Sequence, residues 1–280
     1  MNRCRQMWTL FEPIHAITYF TPEAREKFEA VGLRGFWRGY FGGRAAPLGA
    51  VGAAPVTASF FSFAPSMADR AVPDVWSRAE PGVVLAAREV GAVAALGRLL
   101  ADHPAEAVAE AADLLAEAAA HVDTAGRVLA AANAALDVPV NPMARLWHAT
   151  TVLREHRGDG HVAALVAAGL DGCETLVWRA GMDLPRELLH PARGWTDEEW
   201  QQAADRLQGR GWIDADGRAT QIAIDAHQRI EEATDDAARR PWAALGDSAA
   251  DRLVEVLTPL SKSVRPELPD VNPIGLPTIA

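Results

Sequence analysis

The segment Val138-Pro139-Val140-Asn141-Pro142 places two prolines within four residues. No α-helix crosses such a stretch, because proline lacks the backbone donor and its ring collides with the preceding turn. The chain is therefore built from a part before this break and a part after it. Helix signals dominate the first part. Thr21-Pro22-Glu23 combines a cap residue, a first-position proline and an acidic first turn, and predicts a helix over 21–31. Gly39-Tyr40-Phe41-Gly42-Gly43-Arg44 is glycine-rich, and Pro47, Gly49, Gly52 and Pro55 keep the helices that follow short. The apolar run 56–63 fits a strand or a short buried helix, and its periodicity does not decide between them. Glu80-Pro81 opens a helix reaching about residue 100, followed by helices over 105–121 and 123–135.

The second part has a tighter grammar. Residues 143–155 form a helix with Leu146, Thr150 and Leu153 on one face. Gly158-Asp159-Gly160 reads as a turn leading into a short helix over 161–168. Asp171 caps a helix over 171–180, and Thr196 with Glu199 makes a capping box for a helix that turns Trp200, Ala203, Ala204 and Leu207 inward. Residues 212–220 read as strand, Asp216-Gly217 turn and strand, and a long helix runs over 221–238. The expected fold is mainly α: two packed helical halves, 1–138 and 143–260, with a small β-wing that makes the second half winged-helix-like. An extended tail over 261–280 carries Pro266, Pro269, Pro273 and Pro277, with Ile274 and Leu276 as its anchors.

Composition narrows the function. Lys and Arg number 27 against 37 Asp and Glu, a net charge of −10, which repels a phosphate backbone unless a local basic face exists. The two cysteines, Cys4 and Cys173, form no CxxC pair, so neither a thiolate metal site nor a disulfide framework is expected, and a reducing cytoplasm is the simplest compartment. The first 13 residues lack the apolar core of a signal peptide, and no uncharged apolar run approaches about 18 residues, so no membrane span is expected. Ser59, Ser62 and Ser66 lack a nucleophile elbow. Dinucleotide-binding and P-loop glycine patterns are absent.

Two resemblances follow from particular residues. Ala204-Asp205-Arg206-Leu207, Gly211-Trp212-Ile213-Asp214 and Asp216-Gly217-Arg218 resemble the helix end and wing of MarR-type regulators. Glu12-Pro13-Ile14-His15-Ala16, the 43–49 segment, the run Arg154-Glu155-His156-Arg157-Gly158-Asp159-Gly160-His161 and the 272–277 segment resemble an actinobacterial family labelled helix-turn-helix family protein, along nearly the whole chain. The resemblance implies a fold and a label, with no assigned activity. His15-Ala16-Ile17-Thr18 also echoes His148-Ala149-Thr150-Thr151. That echo is either a duplicated winged-helix unit mimicking a MarR dimer within one chain, or coincidence in alanine-rich sequence.

The densest polar cluster is Arg154, Glu155, His156, Arg157, Asp159 and His161, with His148 two helical turns before Glu155. On a glycine turn these groups would converge on one space, as a ligand site requires. His148, Glu155, His156, Asp159 and His161 are also metal-ligand types, although their spacing matches no named signature. Asp159 as a mere helix cap, and Arg154 with Glu155 as an ordinary ion pair, are the structural alternatives. His15, Tyr19, Tyr40 and Arg44 give the first half a second candidate surface, and both tyrosines of the chain fall there. The nine tryptophans are core or interface anchors more readily than a flat-ligand pocket.

As a DNA reader the second half is poorly equipped. The helix over 171–180 offers Glu174, Thr175 and Arg179. The helix over 196–211 sets Asp197, Glu198, Glu199 and Asp205 against Arg206 and Arg210, and the wing sets Asp214 and Asp216 against Arg218. Working readers concentrate Lys and Arg on these elements. The expectation is a winged-helix-derived monomer or homodimer that binds, or transforms, a small anionic molecule at the junction of its halves. Its contacts would be His148, Arg154, His156 and His161 with His15 and Arg44, and it would not bind DNA specifically. The alternative is a MarR-like, ligand-responsive transcriptional regulator. Neither a cofactor nor a reaction is fixed by the residues.

Overall fold

The break at 138–142 is also the start of the longest helix. In the computed structural model, which describes residues 2–272 and Gly275, the first half holds α1 (Arg3–Phe20), α2 (Pro22–Ala30), α3 (Phe36–Ala45) and α4 (Ala53–Ser59). It continues with α5 (Pro65–Arg78), α6 (Pro81–Leu99), α7 (Ala105–Ala119) and α8 (Val128–Ala134). The second half holds α9 (Pro142–Ala167), α10 (Gly172–Ala180), α11 (Arg186–Arg193) and α12 (Asp197–Gly209), then α13 (Gln221–Ala237), α14 (Arg240–Leu245) and α15 (Asp247–Val264). Asn141 caps α9 by accepting from the amides of Met143 and Ala144, and Pro142 takes the first helical position, where its missing donor costs nothing.

The helix α9 replaces the expected helix–turn–helix at Gly158-Asp159-Gly160. It runs unbroken for 26 residues. Gly160 sits inside it because neighbours come too close for a side chain: a Cβ there would lie 2.7 Å from Arg127 Nη1 and 3.1 Å from Ala237 Cβ. Tertiary packing thus overrides the roughly 1 kcal/mol per glycine that propensity charges. Helix α9 is buried on nearly all sides, from Leu146 and Trp147 to Glu155, His156 and Leu165. Such all-round burial marks a central helix.

The expected β-wing does not form. Between Trp212 and Thr220 the strands reduce to one antiparallel bridge, Ile213 to Ala219, and no strand occurs among the described residues. The Asp214 side chain accepts from the amides of Asp216 and Arg218, so the turn diverts the Arg218 donor that a ladder would return to the Asp214 carbonyl, and of the ladder only the Asp214-to-Arg218 and Thr220-to-Trp212 backbone bonds remain. The run 56–63 resolves as the end of α4 followed by irregular chain. Thr21 precedes α2, but its hydroxyl donates back to the Ile17 carbonyl instead of capping α2. The expected Thr196–Glu199 capping box is present, and the expected Asp171 cap proves to be a capping box as well, with Glu174. Residues 261–264 complete α15; Leu268 is buried against Ala16. Ile274 and Leu276 lie outside the described residues.

A single apolar core crosses the 138–142 break. It joins Met7, Phe11 and Ile14 of α1 and Leu115 of α7 to Leu146 and Leu153 of α9 and Leu253 and Leu257 of α15. A second core, around Trp178, Trp200, Leu207 and Ile230, unites α10, α12 and α13. A third, around Phe41, Phe60 and Phe63, holds α3 to α5. No single helix among the described residues is long and apolar enough to cross a membrane.

Candidate functional site

The third core and the second face each other across α9, and the space between them is a cleft of about 380 Å³. The loop after α4 crosses directly onto the start of α10. A Cβ on Gly172 would fall on the Phe61 carbonyl oxygen, so only glycine lets the two halves meet there. Trp195 Nε1 donates to the Ser62 carbonyl at 3.0 Å, Ala64 N donates to the Arg193 carbonyl at 2.9 Å, and Arg193 Nε donates to Ser62 Oγ at 3.2 Å. These bonds fix the cleft's upper rim. Phe60, Phe61, Phe63, Leu176 and Leu189 supply an apolar wall. Six arginines, Arg5, Arg44, Arg154, Arg157, Arg179 and Arg193, line the same space against Glu12, Asp159, Asp183 and Glu231.

At the upper end, α1, α3 and α9 each present residues one helical turn apart, and most of the sequence-predicted groups meet here. Glu155 is 1% exposed and is gripped from two sides. Arg44 donates Nε and Nη2 to its two oxygens, each at 3.0 Å, and Arg154 Nη1 donates to Oε1 at 2.8 Å. Burial pushes the Glu155 carboxyl up, but the guanidiniums of Arg44 and Arg154 outweigh it and hold it well below the usual range. Arg154 also reaches Glu12, and Arg44 Nη1 donates to the Tyr40 hydroxyl at 3.4 Å. The rings of Tyr19 and Tyr40 lie 5.1 Å apart.

His15 stands behind this end with its tautomer fixed. Thr151 Oγ1 donates to the Trp147 carbonyl, so at 3.0 Å from His15 Nδ1 it must accept; Nε2 then carries the lone pair and accepts from the Tyr19 hydroxyl at 2.9 Å. Burial, reinforced by the positive field of Arg154, pushes the His15 imidazole far below its ordinary pKa, so it is neutral. Its ring stacks on Trp147, 5.9 Å away, and not on His148.

At the lower end Arg157 pairs with Asp235 at 2.9 Å and lies over the Trp8 ring, while Arg5 bridges Asp235 and Glu231. His161, a third exposed, meets Thr234 Oγ1 at 2.9 Å through Nδ1 and Glu231 at 3.9 Å. Asp159 accepts from Ala130 N at 2.9 Å and so caps α8, a helix other than the one the sequence suggested. Burial pushes its carboxyl up to about 6.

Two predicted residues do not belong to this site. At about 100° per residue, five positions on a continuous helix put His156 about 140° around α9 from His161. His156 instead donates Nε2–H to Asp123 at 2.6 Å on the far side. His148 is buried near Arg88, and burial pulls it down to about 4. Histidine convergence thus fails because the glycine turn does not exist. No group of three or more metal-ligand side chains is gathered among the described residues. Sequence reading missed Glu12, Arg193 and Arg5 as site residues: each lies on a helix whose local pattern is unremarkable, and only the packing of α1 against α9 and of α11 against α10 brings it to the cleft.

The potential DNA-reading elements are internally occupied. Arg206 pairs with Asp171 and Glu174 at 2.6 and 2.7 Å, Arg210 donates to the carbonyls of Gly169 and Ala168, and Arg218 pairs with Asp216. The outward face of α12 carries Asp197, Glu198 and Asp205. Comparison with known families finds one model, described as a helix-turn-helix family, that matches residues 4–268. No curated protein and no solved structure matches the chain.

Proposed function

We propose that this chain, which belongs to the helix-turn-helix family, binds a small organic anion in the cleft between its halves, 1–138 and 143–260, and does not read DNA sequence. The observation that carries the reading is a cleft of about 380 Å³ lined by arginines from α1, α3, α9, α10 and α11 together with Phe60, Phe61 and Phe63, with Arg44 lying over the Phe60 ring and Arg193 over the Phe63 ring. That volume suits a small metabolite, and guanidinium donors beside apolar rings suit an acid with an apolar body. The carboxylates of the upper end, Glu12 and Glu155, are already engaged by Trp8 and by the arginines, so the acceptors there are spent while guanidinium N–H groups remain to face a ligand. A thermal-shift panel of carboxylates and phosphate esters tests this reading. At least one acid class should raise the melting temperature in a saturable way, and His161→Ala should diminish the effect. A panel with no stabilising anion would contradict it.

A second reading is the MarR-like regulator, favoured by the order α10, α11, α12, bridged loop and α13. The acid-rich outward face of α12 and the internal pairing of Arg206, Arg210 and Arg218 argue against it. A mobility shift on the native upstream region separates the two. Saturable, sequence-selective binding at nanomolar protein would establish the regulator.

A further inference from the structure

A second cavity, also of about 380 Å³, lies on the other side of the Tyr19–Tyr40 pair, beneath α1, α2 and α3. Phe20, Phe28, Leu33 and Phe36 form most of its wall, and Arg25, paired with Glu29, is the charged residue on its lining. The cavity shares Thr18, Tyr19 and Tyr40 with a small void of about 10 Å³, room for a single oxygen-sized atom. Two buried polar atoms belong to residues that line this void and have no hydrogen-bond partner: Thr18 Oγ1 and Arg88 Nε. Most buried polar atoms in folded proteins are paired, so two orphans around one void call for an explanation.

Arg88 is the stronger anomaly. It is 6% exposed, donates Nη1 to the Gly43 carbonyl and Nη2 to Asn133 Oδ1, and lies over the Trp147 ring. No carboxylate pairs with it among the described residues. Glu155, which also borders the void, is held by Arg44 and Arg154. Burying a cation without a counter-ion is costly. A water molecule in the void would satisfy the donors and leave the charge uncompensated, whereas a carboxylate oxygen does both.

We propose that this cavity is a second small-molecule site, separate from the arginine cleft, which takes a monocarboxylate with a compact apolar body. One carboxylate oxygen occupies the void between the Thr18 hydroxyl and the Arg88 guanidinium. The apolar body lies among Phe20, Phe28, Leu33 and Phe36, and Tyr19 and Tyr40 wall it off from the cleft.

The test is calorimetric titration of the full chain with 4-bromobenzoate and, separately, with uncharged 4-bromobenzyl alcohol. The acid should bind with a dissociation constant below about 1 mM, and the alcohol at least about tenfold more weakly, the ratio expected for losing a charged hydrogen bond. Thr18→Val keeps the side chain's shape and should weaken the acid by a similar factor. Arg88→Lys should weaken it too, and Thr18→Val keeps the question decidable if that variant fails to fold. Arg193→Lys, at the rim of the cleft, should leave the Thr18-dependent part of the acid's binding unchanged, whatever it does to binding in the cleft. Equal affinity for acid and alcohol, an unaltered Thr18→Val, or no binding at all would overturn the inference. An affinity lowered by Arg193→Lys and untouched by Thr18→Val would place the acid in the cleft, ending the second site while favouring the first.

Discussion

Asp159 offers a stability test whose sign is set by its place in the cleft wall. Its folded-state pKa is raised to about 6 from 3.8, chiefly by burial. A raised carboxyl means the fold prefers the protonated form. The associated stability is therefore fully present below about pH 4, declines as pH rises, and is lost once pH has passed about 6. A difference of about 2 units corresponds to about 3 kcal/mol, and solvent in the cleft reduces this to roughly 1–2 kcal/mol. Asp159→Asn keeps an oxygen to accept from Ala130 N while removing the charge. Urea unfolding at pH 8 should show the variant more stable than wild type by about 1–2 kcal/mol, with an unchanged m-value, and the two should coincide near pH 4. A variant that is less stable at pH 8, or whose advantage does not vary with pH, would refute the reasoning.

Glu155→Gln strips two buried guanidiniums of their shared counter-ion and should cost about 3–5 kcal/mol in urea unfolding. Gly160→Ala should cost about 1–3 kcal/mol, because its methyl would press on Arg127 and Ala237. The histidines of α9 should separate cleanly: His156→Ala, which orphans the bond to Asp123 in a buried site, should lower stability by about 1–3 kcal/mol, and His161→Ala should change stability by less than about 1 kcal/mol while altering ligand response.

Much of the helical order was legible, because start signals act locally. Pro81, the Asp171 cap, the Thr196 box and the 138–142 break all act within a turn of the residue that carries them. The misreadings arose where distant packing decides. Gly158 and Gly160 look like punctuation, yet α9 is a central, uninterrupted helix and close neighbours crowd Gly160. The wing's Asp-Gly turn was visible, but Asp214 captures the Arg218 amide that a ladder would use. In the site, His15, Tyr19, Tyr40, Arg44, Arg154 and Glu155 do meet. Spacing by one helical turn, Tyr40 to Arg44 and His15 to Tyr19, was the available signal. Partners from α11 and α13 carry no such signal, since their approach depends on how the second core sits against α9.

Native mass spectrometry of the full chain, purified without stripping and compared with His161→Ala, tests most directly whether the cleft holds a small anion. The account predicts a wild-type population carrying an acidic molecule of metabolite size, released on unfolding and depleted in a variant that remains folded. Wild-type protein that carries nothing, and takes up no acid from a mixed pool of carboxylates and phosphate esters, would contradict it.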